Sequence, residues 1–154
     1  MNFVIREPGS AITHFIGMML TVFAAVPLLV KAITGSVPGA LPAMLIFIIS
    51  MILLYGASAT YHTVNVTGRA LRIFRKLDHM MIFVLIAGSY TPICLVVLRG
   101  SLGYGLLAVI WGLALAGMIT KVCWITCPRW FSSLIYIVMG WTVVFVFNPL
   151  YHTL

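Results

Sequence analysis

The chain has 154 residues, 63% hydrophobic and only 7% charged, with a mean hydropathy of +1.18. A soluble domain of this size needs far more charge to cover its surface, so the composition points to a membrane protein. Nine Lys and Arg against two acids give a net charge of +7. No basic stripe with interleaved aromatics lies outside the apolar runs, which sets nucleic acid aside and leaves topogenic charge and contact with anionic membrane lipid.

Residues 1–9 form a short polar lead containing Arg6, Glu7 and Pro8. The apolar run that follows is too long for the core of a cleaved signal peptide. About 20 apolar residues cross the hydrocarbon core. Five stretches are read as spans, at about 10–33, 41–62, 79–98, 104–124 and 132–147, the last being the shortest. The cluster TGSVPGALP breaks the chain after the first, and Pro27 is a candidate kink within it. Between the second and third spans, Arg69, Arg72, Arg75 and Lys76 alternate with Ala70, Leu71, Ile73, Phe74 and Leu77 at helical spacing. That pattern predicts a short helix over 68–77 lying in the interface. Asn148 and Pro149 end the fifth span. The fold class is all-α: a single polytopic membrane helix bundle over 1–154.

Arg6, Arg69, Arg72, Arg75, Lys76, Lys121 and Arg129 fall on one side of these spans, and only Lys31 and Arg99 on the other. The positive-inside rule makes the first side, and the N-terminus, cytoplasmic. Glu7, His14, Ser58, His62 and Asp78 then converge on the cytoplasmic leaflet from three helices. Ser58 and His62 are four residues apart and share a helix face. His152 falls on the far side.

Ionisable groups at membrane depth are costly and mark functional sites. A His, an Asp and a Ser together suit a metal or hydrolytic site. The imidazole can bind zinc, the carboxylate can take a proton from attacking water, and the hydroxyl can position water or substrate. Each residue also has a plain structural role. His62 can anchor at the interface, Asp78 can cap the third span, and Ser58 can be a small packing residue. His14 can contact headgroups, and Glu7 can be a solvated charge paired with Arg6. Spacing alone leaves both readings open. Gly112 and Ala116, with Gly117 beside them, predict close helix packing. Cys123 and Cys127 share helical spacing, but a pair is too few for a metal, and reduced thiols are the simpler reading.

Five segments carry a resemblance: REPGSAITHFIG (6–17), LLYGASATYHT (53–63), RKLDHMMIFVLIAGSYTPICL (75–95), IWGLALAGMITK (110–121) and LIYIVMGWTVV (134–144). In this order they resemble the hemolysin III proteins, the bacterial branch of the progestin and adipoQ receptor family, placed with alkaline ceramidases in the CREST superfamily. The resemblance implies a seven-helix bundle in the bacterial plasma membrane with a zinc site near the cytoplasmic side. It implies that His62 is a zinc ligand, that Asp78 holds the zinc-bound water, and that Ser58 is the serine of the shared pattern. Glu7 and His14 match the N-terminal motif. The remaining family ligands come from a His-x-x-x-His on the seventh helix. This sequence has none, so a member truncated after the fifth helix is expected, with an incomplete site. Three roles follow from the resemblance: a zinc-dependent hydrolase of a lipid amide or ester, a pore-forming or membrane-energetics protein, and a lipid-sensing receptor. A pore wants a polar stripe along a helix, and none of the five spans carries one.

Overall fold

The computed structural model describes residues 4–124 and 128–145. All regular elements among them are helices: α1 (Pro8–Thr34), α2 (Ala40–Thr63), α3 (Gly68–Pro92), α4 (Gly100–Cys123) and α5 (Arg129–Phe145). The segment α3 continues through a π-helical turn, Ile93–Leu98. Among the described residues, four helices are long and apolar enough to cross a membrane, and α5 contributes a shorter apolar stretch, Trp130–Val144. The expected Cys127, Asn148, Pro149 and His152 features lie outside the described residues.

Pro8 opens α1, where its missing N–H costs nothing and its fixed φ suits a helix. The helix runs on through Pro27. Gly39, at φ 79°, takes the left-handed conformation that starts α2. Pro92 sits where α3 changes to the π turn. Its missing N–H interrupts the i→i−4 ladder, and π turns are one way a helix absorbs such a break. Arg99, at φ 46°, and Gly100, at φ 62°, then reverse the chain into α4.

The basic stretch 68–77 is helical, as its spacing indicates, but it is not a separate helix. It is the first part of α3, which enters the third span without interruption. No Gly, Pro or turn cluster separates Leu77 from Met80, so nothing in the chain ends the helix there. Two of its cations reach neighbouring helices. Arg75 Nε donates to Tyr61 Oη at 3.0 Å, and Lys76 Nζ donates to the carbonyl of Val122 at 3.4 Å. The start of α3 therefore meets the ends of α2 and α4, while Gly39 at the start of α2 lies near Leu95 at the opposite end.

The helices α1, α2 and α3 pack in succession, α4 packs on α3, and α5 touches α3 and α4 over a smaller area. The buried core runs between α3, α4 and α5 through Phe83, Ala87, Tyr90, Cys94, Ile110, Ala114 and Met139. Small residues set the close crossings. A Cβ on Gly88 would overlap the Ser50 side chain of α2, and one on Gly117 would overlap the Phe83 ring. The expected Gly112–Ala116 pair does not do this. A Cβ at Gly112 would meet nothing within 4 Å, and Ala116 is exposed. Gly117, on the other side of α4, is the packing glycine, because only that side faces α3.

Candidate functional site: a carboxylate–histidine cluster at one end of the bundle

The last turn of α2 leaves carbonyls that its own helix cannot satisfy. The polar lead supplies partners. Glu7 N–H donates to the His62 carbonyl at 3.0 Å and Arg6 N–H to the Thr63 carbonyl at 3.5 Å. This backbone clamp seats the start of α1 against the end of α2 and brings three functional side chains together.

Glu7 Oε2 lies 2.7 Å from His62 Nδ1, and Glu7 Oε1 lies 3.2 Å from Arg6 Nη2. A carboxylate only accepts, so Nδ1 of His62 carries the proton and Nε2 of a neutral ring keeps its lone pair. The His62 hydrogen bond, helped by the charge of Arg6 and opposed by partial desolvation, holds the Glu7 carboxyl below the usual carboxylate range. The Arg6 guanidinium lies 4.0 Å over the Tyr61 ring, a cation–π contact. Tyr61 in turn accepts from Arg75. His14, two turns into α1, places its ring centroid 5.7 Å from that of His62 and 6.0 Å from that of Tyr55. Its Nδ1 is buried with no hydrogen-bond partner.

Glu7, His14 and His62 are thus juxtaposed across α1 and α2. Ser58 is one turn deeper on α2 and 2% exposed. Asp78 is interior to α3, which removes its expected role as a helix cap; its side chain is 14% exposed. Among the described residues, neither Ser58 nor Asp78 makes a hydrogen bond or ion pair with Glu7, His14 or His62. The ionisable neighbour of Asp78 is His79, with Nδ1 3.7 Å from Asp78 Oδ2, too long for a hydrogen bond. That nitrogen bonds the Arg75 carbonyl at 2.7 Å instead. Sequence reasoning passes over His79, although it directly follows Asp78. It also misses Tyr61, whose stacking with Arg6 leaves no spacing signature.

Zinc does not fit the donor set on view. Both oxygens of Glu7 and Nδ1 of His62 are engaged, so within this cluster His62 and His14 each offer one ring nitrogen to a metal. A catalytic zinc takes about three protein ligands. Among the described residues, no group of three or more His, Cys, Asp or Glu is spaced to hold a metal.

Four membrane-length helices and a polar cluster confined to one end define a polytopic helical membrane protein. Its sequence matches the family described as Haemolysin-III related over residues 3–154. The chain belongs to that family. It is 40% identical over 153 residues to Hemolysin-3 of Bacillus cereus, covering 99% of this chain and 69% of that protein. It is 38% identical over 153 residues to the Hemolysin-3 homolog of Bacillus subtilis (strain 168), covering 99% of this chain and 71% of that protein. No solved structure matches.

Proposed function

We propose that this hemolysin III-like protein acts on a lipid ester or amide at one face of the bacterial plasma membrane, with His62 as general base and Glu7 orienting it. The observation that carries this reading is the 2.7 Å Glu7–His62 bond, with the unpaired Nδ1 of His14 close by. Glu7 fixes the tautomer, so Nε2 of His62 can take a proton from water as that water attacks a lipid carbonyl, and can return it to the departing alcohol or amine as the acyl C–O or C–N bond breaks. His14 Nδ1 supplies a second polar atom for the substrate or the water. Ser58 and Asp78 remain candidate catalytic residues by resemblance to the family pattern. The excess of cations at this end supports a cytoplasmic N-terminus.

Zinc, the cofactor the resemblance implies, would have to take the same His62 Nε2 that serves as base, so zinc binding and this base role exclude each other. We expect less than stoichiometric zinc in the purified chain because the described donors fall short of a full set. Near-stoichiometric zinc that disappears in His62→Ala would overturn that expectation.

The activity is tested by fatty-acid release from liposomes containing phospholipid esters or ceramide-type amides. Release is expected from the wild-type chain, with a loss of at least about 100-fold in His62→Ala and a smaller loss in Glu7→Gln. Absence of release from both lipid classes, or release equal in His62→Ala, would rule out the hydrolase reading. The names of the relatives support a second reading, a cytolytic membrane protein. Dye leakage from liposomes without lipid cleavage, unaffected by His62→Ala, is its expected signature.

A further inference from the structure

The continuous helix from Gly68 to Leu98 has 31 residues. At 1.5 Å per residue it is about 46 Å long. A hydrocarbon core of about 30 Å takes about 32 Å of a helix at the usual tilt of ~20°. The surplus falls at the N-terminal end, where all the cations of α3 lie, so residues 69–77 reach headgroup depth.

The cations on this stretch divide into two kinds. Arg75 and Lys76 are tied to Tyr61 and Val122. Arg69 and Arg72 are exposed and have no hydrogen bond or ion pair among the described residues. Nothing nearby neutralises them. The chain has two acids: Glu7 is engaged by His62 and Arg6, and Asp78 lies on the opposite face of α3 beside His79. Along the same outer face run Ile73, 51% exposed, and Leu77, 41% exposed, at i+4 and i+8 from Arg69. Two guanidinium groups one turn apart therefore stand above an apolar stripe that leads toward the membrane core.

We infer that this face binds an anionic phospholipid. Arg69 and Arg72 hold the phosphodiester headgroup, and an acyl chain lies along Ile73 and Leu77. Guanidinium suits phosphate because it offers paired donors in a fork and is only weakly hydrated. The apolar stripe distinguishes a lipid from free phosphate, which has nothing to place against Ile73 and Leu77. This site lies on the outer face of α3 and is independent of the Glu7–His62 reading.

The test is native mass spectrometry of the purified protein in detergent, titrated separately with phosphatidylglycerol and phosphatidylcholine. Phosphatidylglycerol is expected to bind in preference, and its adducts should fall in the wild-type protein as salt is raised. In Arg69→Gln/Arg72→Gln the phosphatidylglycerol affinity should drop roughly tenfold or more, since each basic residue near an anionic membrane contributes about a fivefold effect. Lys31→Gln, at the far end of α1, should leave it unchanged. Ile73→Ser/Leu77→Ser should weaken binding with the arginines intact, and millimolar glycerol phosphate should not compete. Equal binding of the two lipids by the wild-type protein overturns the proposal, and this arm needs no variant to fold. So does an undiminished affinity in the double glutamine variant, or a loss as large in Lys31→Gln. Full competition by glycerol phosphate would mean that the arginines recognise phosphate alone, and the lipid site would be rejected.

Discussion

The two ends of the helix sequence are held in different ways. The first helix, α1, is joined to α2 by a long packed interface and, at its start, by the polar clamp of Arg6, Glu7 and His62. By contrast, α5 has a small contact area, and two tyrosine hydroxyls are among the ties that join it to α3. Tyr90 Oη donates toward the carbonyls of Met139 and Gly140 at 2.9 and 3.0 Å and accepts from Val143 N–H at 2.9 Å. Tyr136 Oη donates to the His79 carbonyl at 2.8 Å. Lipid tails are as apolar as leucine, so burying an apolar face gives little drive to helix association in a bilayer. Close packing of small residues and polar ties must supply it. At α1–α2–α3 both are present, whereas at α5 the ties carry more of the attachment.

The largest effect is expected where packing alone decides. Gly88→Ala forces a Cβ into Ser50, which is itself buried, so α2 and α3 must move apart. Overpacking of this kind costs about 1–3 kcal/mol. At Gly112 the same substitution meets open space and gains helix propensity, by up to ~1 kcal/mol. Unfolding of the two variants in mixed micelles should therefore shift in opposite directions from wild type. A Gly112→Ala loss equal to that of Gly88→Ala would mean that the outer face of α4 is packed after all.

A smaller effect is expected from Tyr90→Phe, which keeps the ring and removes the hydroxyl. Side-chain hydrogen bonds between membrane helices are worth about 0.6 kcal/mol on average and seldom above ~2. Here one hydroxyl serves three backbone groups, so a loss of about 1 kcal/mol is expected. It should be local: amide exchange should rise in α5 around Met139–Val143 and stay unchanged in α1 and α2. A uniform rise along the chain would show that α5 is not a separately held element.

The spans were legible because hydropathy alone decides which segments can leave water, and four of the five helices have membrane length. Boundaries set by tertiary contact were not. The alternation of charged and apolar residues over 68–77 reads as a surface helix, but the same pattern suits a helix whose end stands at headgroup depth, and no breaker separates it from the third span. The Gly112–Ala116 pair had the right spacing on the wrong side of α4, because spacing does not reveal which side meets a neighbour. Glu7 stands at the start of α1 and His14 within it, while His62 lies on α2, so the meeting of the two helices could be inferred only as a common membrane face. The contact itself depends on the backbone clamp, which no side-chain motif encodes.

The smallest effect on stability, and the sharpest on local structure, is expected at Glu7. The half-exposed carboxylate tethers the lead to His62, and the bond to His62 lowers its pKa relative to the unfolded chain. A carboxyl whose folded pKa is depressed contributes stability that is fully present above its unfolded pKa and is lost as pH falls through the lowered value. The tether is therefore intact at neutral pH and released only in acid. Amide exchange at Arg6 and Glu7, whose N–H groups bond the carbonyls of Thr63 and His62, reports it directly. Protection of these amides, corrected for intrinsic exchange, should hold at neutral pH and fall in acid below the ordinary carboxylate range. Glu7→Gln keeps the backbone donor and removes the titrating charge, so the acid-dependent step should disappear. An acid step of the same size in Glu7→Gln would assign the release to another group. The protection remaining at neutral pH in that variant would measure the backbone clamp by itself.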